Sequence, residues 1–385
     1  MIADIAIVGA GPAGSTAAEV AAAAGLEVVL IDRKAEIGTP VQCGGFLPEA
    51  RELYELMPRA RFPRALIEVP QRCVLHRTRL QRLYAPSGKY KEFQVDGRSV
   101  DRRAFDRHLA TQAARAGARI FPATRAFFPQ PNLRLSGRFA GDLQAKVIIG
   151  ADGPYSCIAR AIGFPVAEMG ICLEYEIANV DIDPYAVEMY FGTQYAPGGY
   201  AWIIPLGLDI ANVGIGVRAS YLRGRRLPIL LEKFVREHPV VAGKLKGGEV
   251  LAVMQGSVPA SGMPGSIQKG NVLIAGDAAG QVMATSGGGI PLAMVAGRIA
   301  GEVAASSIKG QSKLDDYTQK INSEFGKELE RSVHIRRMVD VVMHSDKLMD
   351  ALFGALEPDQ IKSIIRGQLP STFSAIYDML IKVNV

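Results

Sequence analysis

Residues 5–18, Ile5-Ala6-Ile7-Val8-Gly9-Ala10-Gly11-Pro12-Ala13-Gly14-Ser15-Thr16-Ala17-Ala18, pass from four apolar residues into G-x-G-x-x-G and on into an alanine-rich stretch. That order predicts a buried strand, a tight turn and a helix, the phosphate-binding half of a βαβ unit. Gly9 permits the turn, Gly11 lets the backbone approach a pyrophosphate, and Gly14 lets helix and strand pack closely, with the anion on the positive helix end. A second apolar run, Glu27-Val28-Val29-Leu30-Ile31-Asp32, ends on an acid 18 residues after Gly14, where a ribose hydroxyl needs an acceptor. Strand, helix and acid together predict a nucleotide site; a glycine turn that binds nothing is the weaker alternative.

Outside this stretch, 385 residues with 48% hydrophobic and 21% charged side chains can build two or more globular domains. The 41 glycines fall in clusters and not in a repeat, which points to loops approaching ligands. Net charge is +6, and twelve arginines lie between Arg51 and Arg107, suited to an anionic ligand or an acidic membrane surface, or simply to a solvated face. No helix-turn-helix, zinc-finger or RNA-binding signature is present, so nucleic acid is not expected. Cys43, Cys73, Cys157 and Cys172 lack the C-x-x-C spacing of zinc or redox sites; no metal is expected, and the compartment reads as reducing. The chain enters its first strand too soon for a signal peptide and has no run of ~20 uncharged apolar residues, so a cytoplasmic protein is expected, with peripheral contact at the inner face of the cell membrane left open.

After Asp32 comes a long connection carrying Cys43-Gly44-Gly45; Cys43 reads either as a neighbour of a cofactor ring or as a small buried hydrophobe. Segments between Leu66 and Phe93 suggest a hairpin, and Val100 onwards opens a helix that Gly117 ends. Ala145 to Arg160 is a strand, a Gly-Ala-Asp-Gly turn and a helix start. Four β-patterned runs follow, Cys172 to Ala178, Ala186 to Phe191, Tyr200 to Pro205 and Ala211 to Val217, which predict an antiparallel sheet. Asn271 to Gly280 is a further strand ending in Gly276-Asp277. Gly287-Gly288-Gly289 then precedes a helix and offers unblocked amides to an electron-rich carbonyl edge. A branched side chain there, as in Gly289→Val, is expected to harm the seating of such an edge, that of a flavin pyrimidine for example, more than Gly9→Ala. From Leu314 to Val385 the pattern is helical.

Gly9 to Gly14 with Asp32, Gly150 to Arg160, and Gly276-Asp277 jointly resemble the glutathione-reductase-like FAD fold in its aromatic-hydroxylase branch. Within that branch, Ile37 to Gly44, Val100 to Asp106, Pro197-Gly198-Gly199-Tyr200-Ala201-Trp202-Ile203-Ile204-Pro205 and Gly276 to Ile290 resemble the geranylgeranyl reductases, which saturate isoprenoid double bonds. The resemblance implies an α/β fold: a discontinuous Rossmann-like FAD-binding domain (1–70, 95–165 and 265–310), an inserted antiparallel β-sheet substrate domain (71–94 and 166–264), and a C-terminal helical region (311–385). It places Asp32 at the adenosine ribose, Arg102 and Asp277 at the ribityl and phosphate region, Cys43 and Gly44 near the flavin, Gly289 and Ile290 at the isoalloxazine carbonyls, and Ala126 at the adenine. Tyr200, Trp202 and Pro205 belong to the family's prenyl-cavity motif; the first two, two apart on one strand, share a face. The chain departs from the family at Gln42, Gly45, Ile204 and Val282 to Ser286. The implied substrate is a prenyl lipid or prenyl diphosphate, its head met by the basic segment. An isolated alkene is hard to reduce, which implies an external low-potential donor such as a ferredoxin, a deazaflavin or a nicotinamide. The general acid is not identifiable from the residues. An FAD monooxygenase and a non-catalytic flavoprotein electron carrier are the competing readings.

Overall fold

The structure is a computed structural model that describes residues 1–165 and 167–369. Residue 166 and the end of the expected helical tail, 370–385, lie outside the described residues.

The apolar run at the N-terminus forms the strand Ile2–Val8, flanked in parallel by Val28–Ile31 and Gly141–Gly150. Arg119–Phe121 continues the sheet on one side and Val272–Ile274 on the other, both parallel, and Gln268–Lys269 adds an antiparallel edge. The strand order changes direction between Ile2–Val8 and Gly141–Gly150, and ligands of open α/β sheets bind at such a switch point, outside the carboxyl ends of the strands. Four of those ends deliver Gly9, Asp32, Ala151 and Ala275 to one side of the sheet. Ile5, Ile7, Leu30, Ile31, Ile148, Ile149 and Leu273 are buried, as strands covered on both faces require.

The helices Pro12–Ala23 and Ile290–Ile308 pack on this sheet and on each other. Their contact depends on glycine: a methyl at Gly297 would sit 2.1 Å from the carbonyl oxygen of Ala13, and one at Gly301 would sit 2.7 Å from that of Ala17. Backbones this close bring both helix N-termini to the same side of the sheet.

The second sheet runs in the order Glu249–Pro259, Met169–Ala178, Ile210–Arg218, Gly199–Pro205, Ala186–Tyr190, Val74–Tyr84, Tyr90–Val100, Phe46–Pro48. All neighbours are antiparallel except Ala186–Tyr190 and Val74–Tyr84, which are parallel, a departure from the purely antiparallel expectation. Phe46–Pro48 and the end of Tyr90–Val100 belong to this sheet although they fall within the ranges 1–70 and 95–165 assigned above to the cofactor domain. The pleat sorts the side chains. Leu173, Tyr175, Ile177, Ala201, Ile203, Val213 and Ile215 point to one face, where Leu227, Leu230, Leu231 and Phe234 of the helix Leu227–Glu237 cover them. The opposite parity faces the cofactor sheet.

Beyond the long helix, Lys327–Val342, Asp346–Ala355 and Pro358–Ile365 return over the second sheet, where Met349, Phe353, Leu356 and Ile361 pack against Leu83, Phe93, Val95 and Met189.

Candidate active site

The carboxyl ends of the first sheet, the free face of the second and the C-terminal helices enclose one cavity of about 1190 Å³. A site for one drug-sized ligand occupies ~300 to 1,000 Å³, so there is room for a nucleotide cofactor and part of an elongated substrate.

Two helices open on the cavity without a side-chain cap, Pro12–Ala23 from Gly11 and Ile290–Ile308 from Gly289. Other helices also start without a side-chain cap, Leu227–Glu237 among them, but these two start on a glycine that lines the cavity. The uncapped amides are donors left for a ligand. The two glycine clusters differ in kind. A methyl at Gly9 would lie 2.2 Å from the carbonyl oxygen of Ala151, on a residue with φ +102°, and one at Gly14 would lie 1.8 Å from that of Gly9, whereas one at Gly11 meets nothing within 4 Å. Gly9 and Gly14 are therefore set by protein packing, and Gly11 is bare toward the cavity. At Gly289 a methyl would meet Val282 at 3.2 Å and Asp277 at 3.4 Å. For an added methyl the tighter position is Gly9, because its obstacle is backbone; the expected ranking of Gly289→Val over Gly9→Ala concerns instead what Gly289 presents to the cavity.

Asp32 accepts hydrogen bonds from the amides of Ala10, at 2.7 Å, and Lys34, at 2.8 Å, so its carboxylate braces the glycine turn while lining the cavity. Arg102 opens the helix Arg102–Arg115 and holds Asp106, one turn on, at 3.0 Å. Burial opposes the Arg102 charge, but Asp106 and Cys43 outweigh it and keep the guanidinium protonated, while burial raises the Asp106 carboxyl against the pull of Arg102. Burial also lifts Asp277 to about 6, with Arg102 opposing. Ala126 lies on the strand Thr124–Phe127, where its carbonyl accepts from Cys157 Sγ at 3.4 Å.

On the second sheet, Cys172 and Glu174, Tyr200, Trp202 and Ile204, and Val187 and Met189 face the cavity. In register, Gly214 lies between Glu174 and Trp202, and Gly216 between Cys172 and Tyr200. The bare glycines let the Trp202 ring lie across the central strand: a methyl at Gly214 would come 2.4 Å from it and one at Gly216 3.5 Å. The Tyr200 and Trp202 rings stand 5.8 Å apart. Trp202 Nε1 donates to Asn212 Oδ1 at 2.6 Å, and the Tyr200 hydroxyl donates to the carbonyl of Ser286 at 2.5 Å, tying the sheet to the triple-glycine turn. Gly44 packs against the same group, since a methyl there would meet Ile204 at 2.8 Å and Asn212 at 3.1 Å. Burial pushes the Glu174 carboxyl up to about 7, against a hydrogen bond from Asn212 and the Arg102 charge.

Of the residues expected from sequence, Gly9, Gly11, Asp32, Cys43, Gly44, Arg102, Ala126, Asp277, Gly289, Ile290, Tyr200 and Trp202 all line this cavity. Gly14 stands behind it, against Gly9. Pro205 does not line it, because it ends its strand on the opposite pleat from Trp202 and Ile204. The basic segment is also redistributed. Ten of the twelve arginines pair with carboxylates, and only Arg102 among the twelve lines the cavity. The cationic groups on the substrate side are instead Arg218, Arg336 and Arg366. Glu174, Asn212 and the C-terminal apolar wall were missed, although Glu174 shares its parity with Cys172 on a predicted strand.

Two family models match the sequence: an FAD binding domain over residues 2–207 and a geranylgeranyl reductase catalytic domain over residues 168–258. A digeranylgeranylglycerophospholipid reductase of Methanocaldococcus jannaschii is 35% identical, covering 98% of each chain, and a second, from Methanothermobacter thermautotrophicus, is 34% identical over 98% of this chain and 99% of its own. Among solved structures, a geranylgeranyl bacteriochlorophyll reductase-like protein of Thermoplasma acidophilum superposes with a TM-score of 0.83 at 28% identity, covering 98% of this chain and 99% of its own. A flavin-dependent brominase, at 16% identity and a TM-score of 0.73 over 99% of each chain, shares the fold.

Proposed function

We infer the function from the premise that this chain belongs to the geranylgeranyl reductase family. It is an FAD-dependent oxidoreductase that saturates isoprenoid carbon–carbon double bonds. Bound FAD supplies the hydride; the chain supplies alignment, a dry wall and charge.

We propose that the open helix behind Gly11 holds the pyrophosphate, Asp32 the adenosine ribose, and the backbone at Ala126 the adenine. Arg102 and Asp277 take the ribityl and phosphate region, and Cys43, Gly44, Gly289 and Ile290 surround the isoalloxazine. Tyr200 and Trp202 flatten an isoprenoid chain against that ring, and Met349, Phe353, Leu356 and Ile361 keep water from it. The substrate is a prenyl lipid with an anionic head, as the names of the relatives indicate for those proteins. The observation that carries this reading is the continuity of one cavity from the glycine turn at residue 9 to the aromatic wall.

We propose an external donor, because the sequence holds no second G-x-G-x-x-G to give a nicotinamide its own domain, and one of low potential, because an isolated alkene is hard to reduce. No helix among the described residues is long and apolar enough to cross a membrane; we propose that the lipid is met by peripheral contact at the membrane surface. Anaerobic incubation of the dithionite-reduced protein with a geranylgeranyl phospholipid, followed by mass spectrometry, should show added pairs of hydrogen atoms. A lipid left unchanged anaerobically, with hydroxylated product formed in oxygen, would replace this reading by the monooxygenase.

A further inference from the structure

Saturating an alkene takes a proton as well as a hydride, and the groups facing the aromatic chamber differ in their fitness to give one. Cys172 is pushed up to about 12, by burial first and by Glu174 next, and holds its proton too tightly. The Tyr200 hydroxyl is raised by burial and already engaged with the Ser286 carbonyl. Arg102 is paired with Asp106, and Asp277 stands at the opening of the helix Ile290–Ile308, on the cofactor side. Glu174 is different. It is 1% exposed, and its Oε2 has no hydrogen-bond partner. It borders the cavity, separated from Trp202 only by the bare backbone of Gly214, whose absent methyl would lie 2.8 Å from the Glu174 Cβ. Asn212 accepts from Trp202 Nε1 and is the side chain that opposes the rise of the Glu174 carboxyl, so it stands beside both the indole and the acid.

We propose that Glu174 is the proton donor of the reduction, delivering its carboxyl proton to the alkene carbon adjacent to the one that receives the hydride. The inference rests on the reductase reading above. In the step, the π bond breaks and two C–H bonds form, one from the hydride supplied by reduced FAD and one from the Glu174 O–H bond. The electron pair of that O–H bond stays on the carboxylate, which takes a proton back from water, and the oxidised cofactor is reduced again by the external donor. A carboxyl buried against an aromatic ring stays protonated near neutrality, where an ordinary glutamate is ionised. That is the condition a general acid must meet.

The test compares Glu174→Gln, which keeps shape and hydrogen bonding but has no acidic proton, and Glu174→Asp, which keeps the acid but withdraws it by one methylene. In the oxidised, FAD-loaded parent without lipid, infrared titration should reveal a protonated-carboxyl carbonyl band that disappears as pH rises through about 7 and is missing from Glu174→Gln. In single turnover with a geranylgeranyl phospholipid, the parent rate should fall as pH rises through the same midpoint. Glu174→Gln should be slower by about 100-fold or more and lose that midpoint, with FAD content and lipid affinity unchanged, and Glu174→Asp should fall between and retain a midpoint. The titratable and charged groups facing Glu174 are Arg102, Cys172 and Tyr200, with Cys43 beside the latter two, and Cys43→Ser separates the Cys43 thiol. A midpoint that persists in Glu174→Gln and vanishes in Cys43→Ser overturns the proposal, as does parental turnover in Glu174→Gln or a Glu174 carboxyl already ionised below neutrality. A parent that saturates no prenyl lipid overturns the reductase reading, and this role with it; an active parent with an equally active Glu174→Gln overturns this role alone.

Discussion

A methyl group at Gly14 would sit 1.8 Å from the carbonyl oxygen of Gly9, and one at Gly9 would sit 2.2 Å from that of Ala151. Neither obstacle is a side chain that can swing away. Gly14→Ala and Gly9→Ala should therefore cost more than the ~1 to 3 kcal/mol of ordinary overpacking and lower folding and FAD content together. Gly289→Ala, facing only Val282 and Asp277 at 3.2 and 3.4 Å, should retain the fold. Melting temperature beside flavin stoichiometry decides this; a stable, flavin-free Gly14→Ala would contradict it. Asp277 acts through charge. Its carboxyl is raised from 3.8 to about 6 by burial. A raised carboxyl contributes stability that is complete below its unfolded value and lost as pH climbs through the folded one. FAD-stripped protein should thus lose roughly 3 kcal/mol from this group between pH of about 4 and about 6. Asp277→Asn should remove that loss and raise the melting temperature at neutral pH relative to the parent. An unchanged difference between parent and variant across this pH range would show that Asp277 ionises freely in the fold.

At the scale of the element, the glycines Gly214 and Gly216 make a groove in the middle of a sheet, and the Trp202 ring of the next strand lies in it. Gly214→Ala drives a methyl into both the Trp202 ring, at 2.4 Å, and the Glu174 Cβ, at 2.8 Å, whereas Gly216→Ala meets only Cys172 and Trp202, at 3.3 and 3.5 Å. Gly214→Ala should reduce kcat/KM for the lipid by about tenfold or more, ~1.4 kcal/mol in the barrier, at parental FAD content, with Gly216→Ala milder. If the two behave alike, the indole is not held by this groove. The shared face of Tyr200 and Trp202 was legible because pleat parity is a local rule. The three FAD signatures were legible for a related reason: each ends a parallel strand, and a switch point gathers such ends whatever their separation in the chain. The destination of the arginines was not legible, since Arg59 pairs with Glu328 and Arg61 with Glu302, partners that only the tertiary fold supplies. Nor was the role of the C-terminal helices, whose apolar spacing predicts a buried face without saying what lies beneath it.

Across the whole molecule, the cavity exists because three regions close on it, and the third is tied down at several points, Asp346 to Thr193 and Arg366 to Glu55 among them. Arg218, on the strand Ile210–Arg218, reaches Asp340 of the helix Lys327–Val342 through both guanidinium nitrogens, and Arg336 approaches the same carboxylate at 2.8 Å. Arg218 and Arg336 side chains are only 9% and 13% exposed, so removing the Asp340 carboxylate would leave two shielded cations with only Glu168, 4.0 Å from each, to offset them. Breaking a buried pair from one side costs ~3 to 5 kcal/mol; the 17% exposure of Asp340 places this case at or below about 3 kcal/mol. Farther along, Thr285 Oγ1 donates to the carbonyl of Ile365 at 2.8 Å, joining the last described helix to the segment before the triple glycine. Asp340→Asn should therefore loosen the C-terminal wall without disturbing the glycine turn at residue 9. Hydrogen exchange should accelerate in 327–365 and stay unchanged in 2–31, FAD should remain bound, and KM for the prenyl lipid should rise with kcat less affected, because the apolar wall contributes to lipid binding before the chemistry. Uniform acceleration of exchange through both regions would mean that the wall and the cofactor sheet unfold as one unit. Unchanged exchange and KM would mean that Arg218, Arg336 and Asp340 do not hold the wall in place.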